Sequence, residues 1–321
     1  MKPIGPSLWV VTYHYVRDLP HTRFPRIKGK LVEDLRQHVK WVRERCEMAT
    51  LESALEFLGG TYRPVRDLCL LTFDDGLKDH SANVLPILAE QGIQGLFFLS
   101  PSCLDGERVL SVHKNHFLLA SLDFARYRQA FMEQLAELSP GPNLIEDHAE
   151  ARTSYPWDLP ELAAFKFFLN FRLAPAVRDQ VLHLVFASHF SGESAFASEL
   201  YLSWDEARQM QAAGMLLGAH SYQHVALATL SDEQQREDLT TCARVLRQRV
   251  NRQSLWPFSY PFGRRHSFNQ VTIRTLRQLE FTCGFTTESG PNRVSQDLFR
   301  LRRIDANEVT TRVCAAPAAR G

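Results

Sequence analysis

Leu68-Cys69-Leu70-Leu71-Thr72-Phe73-Asp74-Asp75-Gly76 is the stretch on which the fold turns. Six uncharged residues, mostly apolar, are stopped abruptly by two acids and a glycine. A short apolar run closed by a turn signal reads as a strand buried on both faces, and it places Asp74 and Asp75 at the C-terminal end of that strand. Downstream, Val84, Leu85 and Leu88 suggest a helix ending near Gly92, and residues 93–99 make another apolar run. Strand, helix and strand in that order predict a parallel sheet with crossover helices. Upstream, Leu8-Trp9-Val10-Val11-Thr12-Tyr13 reads as a buried strand leading directly into His14. Leu35, Val39, Val42 and Cys46 then recur at helical spacing with charged residues between them, which predicts a helix with one face on a core.

Residues from about 101 to 200 break this rhythm with helix-like stretches over 117–138 and 162–190, punctuated by Pro140, Pro142 and Pro156. They read as a helix-rich insertion overhanging the pocket. The alternation then resumes. Ser203 with Glu206 has the pattern of a capping box, residues 215–219 form a compact apolar strand, and Ser231 with Gln234 repeats the capping pattern ahead of Leu239, Ala243, Leu246 and Val250. A strand end over 258–263, a helix carrying Ile273, Leu276 and Leu279, and a strand over 281–287 complete the series. The expectation is one α/β domain over residues 1–314, with the small-residue stretch 315–321 as a disordered tail.

Composition narrows the function. The 321 residues hold 37 Lys+Arg against 36 Asp+Glu, a formal net charge of +1, so no overall basic excess argues for nucleic acid as a partner. No apolar run approaches the roughly 20 residues of a transmembrane segment. The start, Met1-Lys2-Pro3-Ile4-Gly5-Pro6, lacks the layout of a secretion signal, which makes a cytoplasmic location, including the inner face of the membrane, the expectation. The six cysteines (46, 69, 103, 242, 283 and 314) include no C-x-x-C pair, so buried free thiols are expected rather than a zinc finger or a dense disulfide framework.

Three strand ends carry polar residues of complementary chemistry: Asp74-Asp75, then His220 and His224 four apart, then Tyr260-Pro261-Phe262-Gly263. In an α/β sheet such ends converge on one face. Adjacent carboxylates on an extended backbone point apart, so one can ligate a metal while the other handles a proton. Two imidazoles brought together by a helical turn, plus one carboxylate, make a three-ligand set suited to catalytic zinc with an open position. Singly, Asp-Gly is a turn and paired histidines are a surface coincidence; together they point to one site. His113-Lys114-Asn115-His116 has no matching acid nearby and reads as a substrate-contacting or solvated stretch, while Phe165, Phe167, Phe168 and Phe171 read as the insertion's own core.

At these motifs the chain resembles the polysaccharide deacetylases with a NodB homology domain, carbohydrate esterase family 4. Thr72-Phe73-Asp74-Asp75-Gly76 matches the first motif, Gly218-Ala219-His220-Ser221-Tyr222-Gln223-His224 the second, and Tyr260-Pro261-Phe262-Gly263 the third. The resemblance covers roughly residues 66–100 and 200–305 and leaves out the insertion. It implies an incomplete or distorted (β/α) barrel of NodB type and a metal-dependent hydrolase that removes an acetyl group from an N-acetylated amino sugar. It further implies Asp74 as catalytic base, Asp75, His220 and His224 as ligands of one divalent metal ion, with zinc favoured by the ligand set, and the Phe262 backbone N–H as oxyanion donor.

Two departures matter. Many relatives supply the general acid from a histidine near the C-terminal end of the domain, but this chain has no histidine after His266. His14, in Thr12-Tyr13-His14-Tyr15-Val16, resembles the N-terminal motif of deacetylases acting on poly-β-1,6-N-acetylglucosamine, and the resemblance makes it the acid. Where many relatives carry an arginine two residues before the proline of the third motif, this chain has Ser259; Arg303, expected to follow a further strand, is the substitute that would keep Asp74 ionised. The expected partner is a saccharide substrate in a surface-polysaccharide or lipopolysaccharide pathway. A deformylase of a formamido sugar, an amidohydrolase of a non-sugar amide, and a non-catalytic saccharide-binding or assembly protein are the alternatives.

Overall fold

The computed structural model describes residues 5–139 and 148–313. The apolar runs become strands of one parallel sheet: β1 (Leu8–Tyr13), β2 (Glu47–Met48), β3 (Leu68–Phe73), β4 (Gly95–Leu99), β5 (Leu216–Ala219), β6 (Pro257–Ser259), β7 (Cys283–Phe285) and β8 (Ile304–Asp305). Their order is β7-β6-β5-β4-β3-β1-β8, with β2 beside the first residues of β3. The sheet curls into a distorted half-barrel. Leu301 makes a parallel bridge to Phe285 of β7, and three residues later Ile304 pairs with Val11 of β1, so one short segment reaches from one edge of the sheet to the other.

Strand parity sets which side chains enter the barrel. Leu68 and Leu70 of β3 pack with Leu8, Val10, Leu96, Phe98, Phe285 and Leu301 in an inner cluster, and the same parity carries Thr72 and then Asp74 over that interior. Cys69, Leu71 and Phe73 face the other way, into the larger core under the surrounding helices. β1 and β3 pair in register over their whole length, ending at Tyr13 with Phe73, and Asp74 N–H donates to the Tyr13 carbonyl at 3.0 Å. His14 and Asp74 therefore leave the sheet side by side.

The structure refines the sequence reading at several places. The stretch 117–138 is two helices, Ser111–Ser121 and Phe124–Leu138, because the Asp123 carboxylate accepts the backbone N–H groups of Ala125 and Arg126 and starts a new helix. The second long stretch divides into Pro160–Phe167 and Pro175–His189, joined through a π-helical turn at Phe168–Arg172, and a further helix, Glu193–Leu200, follows it. Helix Leu51–Gly59, capped by Thr50 and packed beneath the inner cluster, has too little flanking periodicity to stand out, and β2 and β8 are only two residues long. Both capping boxes form as read, at Ser203 with Glu206 and Ser231 with Gln234. Arg303 precedes β8 rather than following a strand.

Cys69, Cys103, Cys242 and Cys283 are buried free thiols. Cys46 is buried as well, and Cys314 lies outside the described residues. Among the described residues no helix is long and apolar enough to cross a membrane. The tail expected at 315–321 lies outside the described residues.

Gly218 ties packing to site position. A Cβ there would lie 2.6 Å from both the Phe98 ring and the Pro257 carbonyl, which is backbone of the adjoining strand and has no room to retreat. Gly218→Ala is expected to destabilise the fold by about 1–3 kcal/mol, read as a lower urea midpoint with an unchanged m-value.

Candidate active site

Asp74 is almost wholly buried, and so is the charge that answers it. Arg303 forks onto its carboxylate, Nη1 to Oδ1 at 2.9 Å and Nη2 to Oδ2 at 2.8 Å. The guanidinium is itself anchored, donating to the Thr286 carbonyl at 2.9 Å, to Thr72 Oγ1 at 3.2 Å and to Ser259 Oγ at 2.9 Å. Ser259 Oγ in turn donates to Asp74 Oδ2 at 3.2 Å. Burial pushes the Asp74 carboxyl up, but Arg303 and His220 outweigh it and hold the group at about 2. Arg303, from a distant part of the chain, thus occupies the place that Ser259 leaves open.

Asp75 does not continue the strand. Its φ of +81° turns the carboxylate out of the alternation, separating it from Asp74. Oδ1 then lies 3.4 Å from His220 Nε2 and 3.2 Å from His224 Nε2, and one ligand atom from each of the three residues falls within 4.8 Å of the others. His220 Nδ1–H donates to the Ser259 carbonyl at 2.7 Å, which leaves the Nε2 lone pair facing Asp75. The histidines do not meet through a helical turn, as the spacing suggested. Ser221 (φ +57°) and His224 (φ +52°) sit in the left-handed region, and the Asp238 carboxylate holds the loop between them by accepting the N–H groups of Tyr222 at 2.9 Å and Gln223 at 3.2 Å. Left-handed backbone at non-glycine residues costs energy and clusters at functional sites.

These three residues fit a metal ion. Asp75 Oδ1 is buried and has no hydrogen-bond partner, an expense a cation would relieve. Burial lowers His224 to about 4, so its imidazole is neutral and able to ligate near pH 7. His220 is raised: burial works against its charged form, but Asp74 and Asp75 outweigh burial.

The remaining carboxylate oxygen is occupied by a residue that the sequence reading assigned elsewhere. His113 is neither solvated nor in contact with solvent at all: it is fully buried, and its Nε2 lies 3.1 Å from Asp75 Oδ2. The direction of the bonds is set by Asp75, whose ionised carboxylate can only accept. His113 Nε2–H therefore donates to Asp75, the Nδ1 of the neutral ring accepts from Tyr201 Oη–H at 2.6 Å, and Tyr201 Oη accepts the Leu110 N–H at 2.9 Å. The matching acid thought absent is Asp75 itself, 38 positions away. Lys114 is likewise buried and paired with Glu193 at 2.7 Å.

His14 Nε2 lies 4.0 Å from Asp74 Oδ2, with its side chain 44% exposed to the cavity. Its carbonyl accepts from the buried His80 Nε2–H at 3.1 Å, which anchors the backbone at that point. Phe262 (φ +62°) packs its ring on His224 at 5.2 Å and Phe171 at 5.4 Å between centroids. All seven sequence-derived residues line one cavity of about 450 Å³. Its other wall comes from the helical segment after β4, including Asn115, His116, Tyr155, Trp157, Lys166 and Phe171. Phe165, Phe167 and Phe168 are buried as expected, but Phe171 faces the cavity.

Comparison with known proteins bears on the fold. The polysaccharide deacetylase family model matches residues 169–284, which include the second and third motifs and stop short of the first. YxkH of Bacillus subtilis, which carries the polysaccharide deacetylase name, is 24% identical over 104 residues, covering 32% of this chain and 36% of that protein. The chain thus matches about a third of the length of that curated relative. IcaB from Ammonifex degensii superposes with a TM-score of 0.60 at 18% identity, over 97% of this chain and 98% of its own. The Streptococcus pyogenes deacetylase PplD, solved with acetate, gives 0.59 at 14% identity over 94% and 93%. The chain is similar to the polysaccharide deacetylases over residues 169–284, and its fold is the NodB-type barrel of the deacetylase structures.

Two outcomes follow. His113→Ala is expected to weaken divalent-ion binding about 10- to 100-fold by freeing Asp75, measured by competition with a chelator of known affinity. Because His220 ligates only when neutral and its raised pKa favours the charged form, affinity for the ion should fall as the pH is lowered through that raised value, with proton release on binding measured by calorimetry in buffers of different ionisation enthalpy.

Proposed function

We propose that the protein is a metal-dependent N-deacetylase of an N-acetylated amino sugar in a surface-polysaccharide pathway. The observation that carries this reading is the pairing of an ionised, Arg303-held Asp74, with His14 beside it, and the Asp75–His220–His224 cluster whose Asp75 Oδ1 is unsatisfied, all lining one cavity. Asp75, His220 and His224 would hold one divalent ion, with zinc favoured by the donor set, and the ion would supply Lewis-acid polarisation of the acyl oxygen and a more acidic water.

The chain's own residues account for the proton traffic. Asp74 carries an unprotonated carboxylate near pH 7 and takes the proton of the attacking water. Its Arg303 clamp keeps that carboxylate from turning toward the ion. His14 gives a proton to the leaving amine from the exposed side of the cavity. The Phe262 N–H stands at the cavity wall to share the negative charge of the acyl oxygen. Trp157, 69% exposed at the same cavity, offers an uncovered aromatic face of the kind that packs on a sugar ring.

The test is acetate release from N-acetylglucosamine oligosaccharides by protein loaded with a divalent ion, beside elemental analysis of the purified chain. Asp74→Asn is expected to abolish turnover while the ion is retained, and His14→Ala to lower the rate by about 10²- to 10⁴-fold with the ion in place. Release of formate from N-formyl sugars in preference to acetate would redirect the reading to a deformylase. Failure to retain or regain any divalent ion would end it.

A further inference from the structure

Two residues beyond Phe262, the chain sets Arg264 into the cavity wall. Its guanidinium is partly buried, and among the described residues it makes no ion pair and no side-chain hydrogen bond. This contrasts with Arg303, whose every nitrogen is committed. Burial works against the charge of Arg264, with Tyr155 and Asp305 as the nearby groups that offset it. Asp305 acts on it only through space: among the described residues no ion pair joins the two, and Asp305 Oδ1 accepts the Asn307 N–H at 2.8 Å. Glu308, also on the cavity, is paired with Arg312 at 2.9 Å.

The neighbouring wall adds charge of the same sign. Lys166 Nζ donates to Asp158 Oδ2 at 2.7 Å, and Lys28 donates to the other oxygen of the same carboxylate. All three residues line the cavity, so with Arg264 and Asp305 this part of the wall presents, among the described residues, three cations against two carboxylates. A guanidinium withdrawn from water without an anion is an incomplete interaction, and its planar donor fork matches a carboxylate or phosphate.

We infer that the substrate is an anionic saccharide, an N-acyl amino sugar bearing a carboxylate or phosphate that docks on Arg264 within the field of Lys28 and Lys166. This rests on the deacetylase reading for the reaction but not for the binding. A neutral amino sugar would leave the Arg264 donor fork without a directly bound anion in the filled cavity. An anionic one completes the pair and holds the sugar in a set orientation relative to Asp74.

The experiment compares three sugars with the metal-loaded protein: methyl N-acetylglucosaminide as the neutral case, N-acetylmuramic acid for carboxylate, and N-acetylglucosamine 1-phosphate for phosphate. Dissociation constants are measured by calorimetry and kcat/KM by acetate release. At least one anionic sugar should bind about tenfold or more tighter than the neutral one, and which one identifies the anion. Arg264→Gln should bring the ratio of anionic to neutral affinity toward unity, and Arg264→Lys, keeping the charge without the fork, should retain part of it. Equal binding of all three sugars, or a ratio unmoved by Arg264→Gln, overturns the inference. An anion preference in binding with no acetate released would count against the deacetylase reading alone, and no binding by any sugar would overturn both.

Discussion

The buried ion pair between Asp74 and Arg303 is the interaction on which the rest of this structure depends. Both charges lie out of water, and such a pair is tolerable only when the geometry is bidentate and the remaining donors are satisfied. Here they are: Thr72, Thr286 and Ser259 take up the other guanidinium hydrogens. The pair also joins the end of β3 to the segment that runs from Leu301 beside β7 to Ile304 beside β1. One interaction therefore draws the sheet edges together and keeps a carboxylate ionised at the mouth of the barrel.

The two adjacent acids serve different ends because their backbones differ. Asp74 keeps the parity of β3 and points over the barrel interior. Asp75, in the left-handed region, turns toward the histidines. Ser259 couples the halves, its hydroxyl on Asp74 and its carbonyl on His220. A shift of that residue would disturb both the proton-handling group and a metal ligand.

The helical segment between β4 and β5 is part of the site as well as a cover. It supplies His113 and Tyr201, whose bonds direct Asp75, and it supplies the aromatic and charged wall that faces the substrate side of the cavity. Its own core packs Phe131, Phe165 and Phe186 firmly enough to hold those side chains in place.

Sequence alone determined a good deal. The uninterrupted run Leu68–Phe73 and the resumption of strand-helix alternation after residue 200 sufficed for a parallel α/β sheet, because burial on both faces leaves a continuous apolar signature. The three motifs were local, each within a few residues of a strand end, so Asp74, Asp75, His220 and His224 could be named from spacing, and Phe262 from the family resemblance of the third motif. His14 and Arg303 came from a different argument, the absence of expected partners elsewhere. What only the tertiary structure decided are relations between distant segments. That Arg303 is a buried clamp, that His113 binds Asp75, and that Arg264 stands in the wall without an ion-pair partner among the described residues depend on how the sheet curls and where the helical segment packs. Hydrogen bonds and ion pairs between such segments leave no periodicity in the chain, and a solvated histidine and a buried one are written with the same letter.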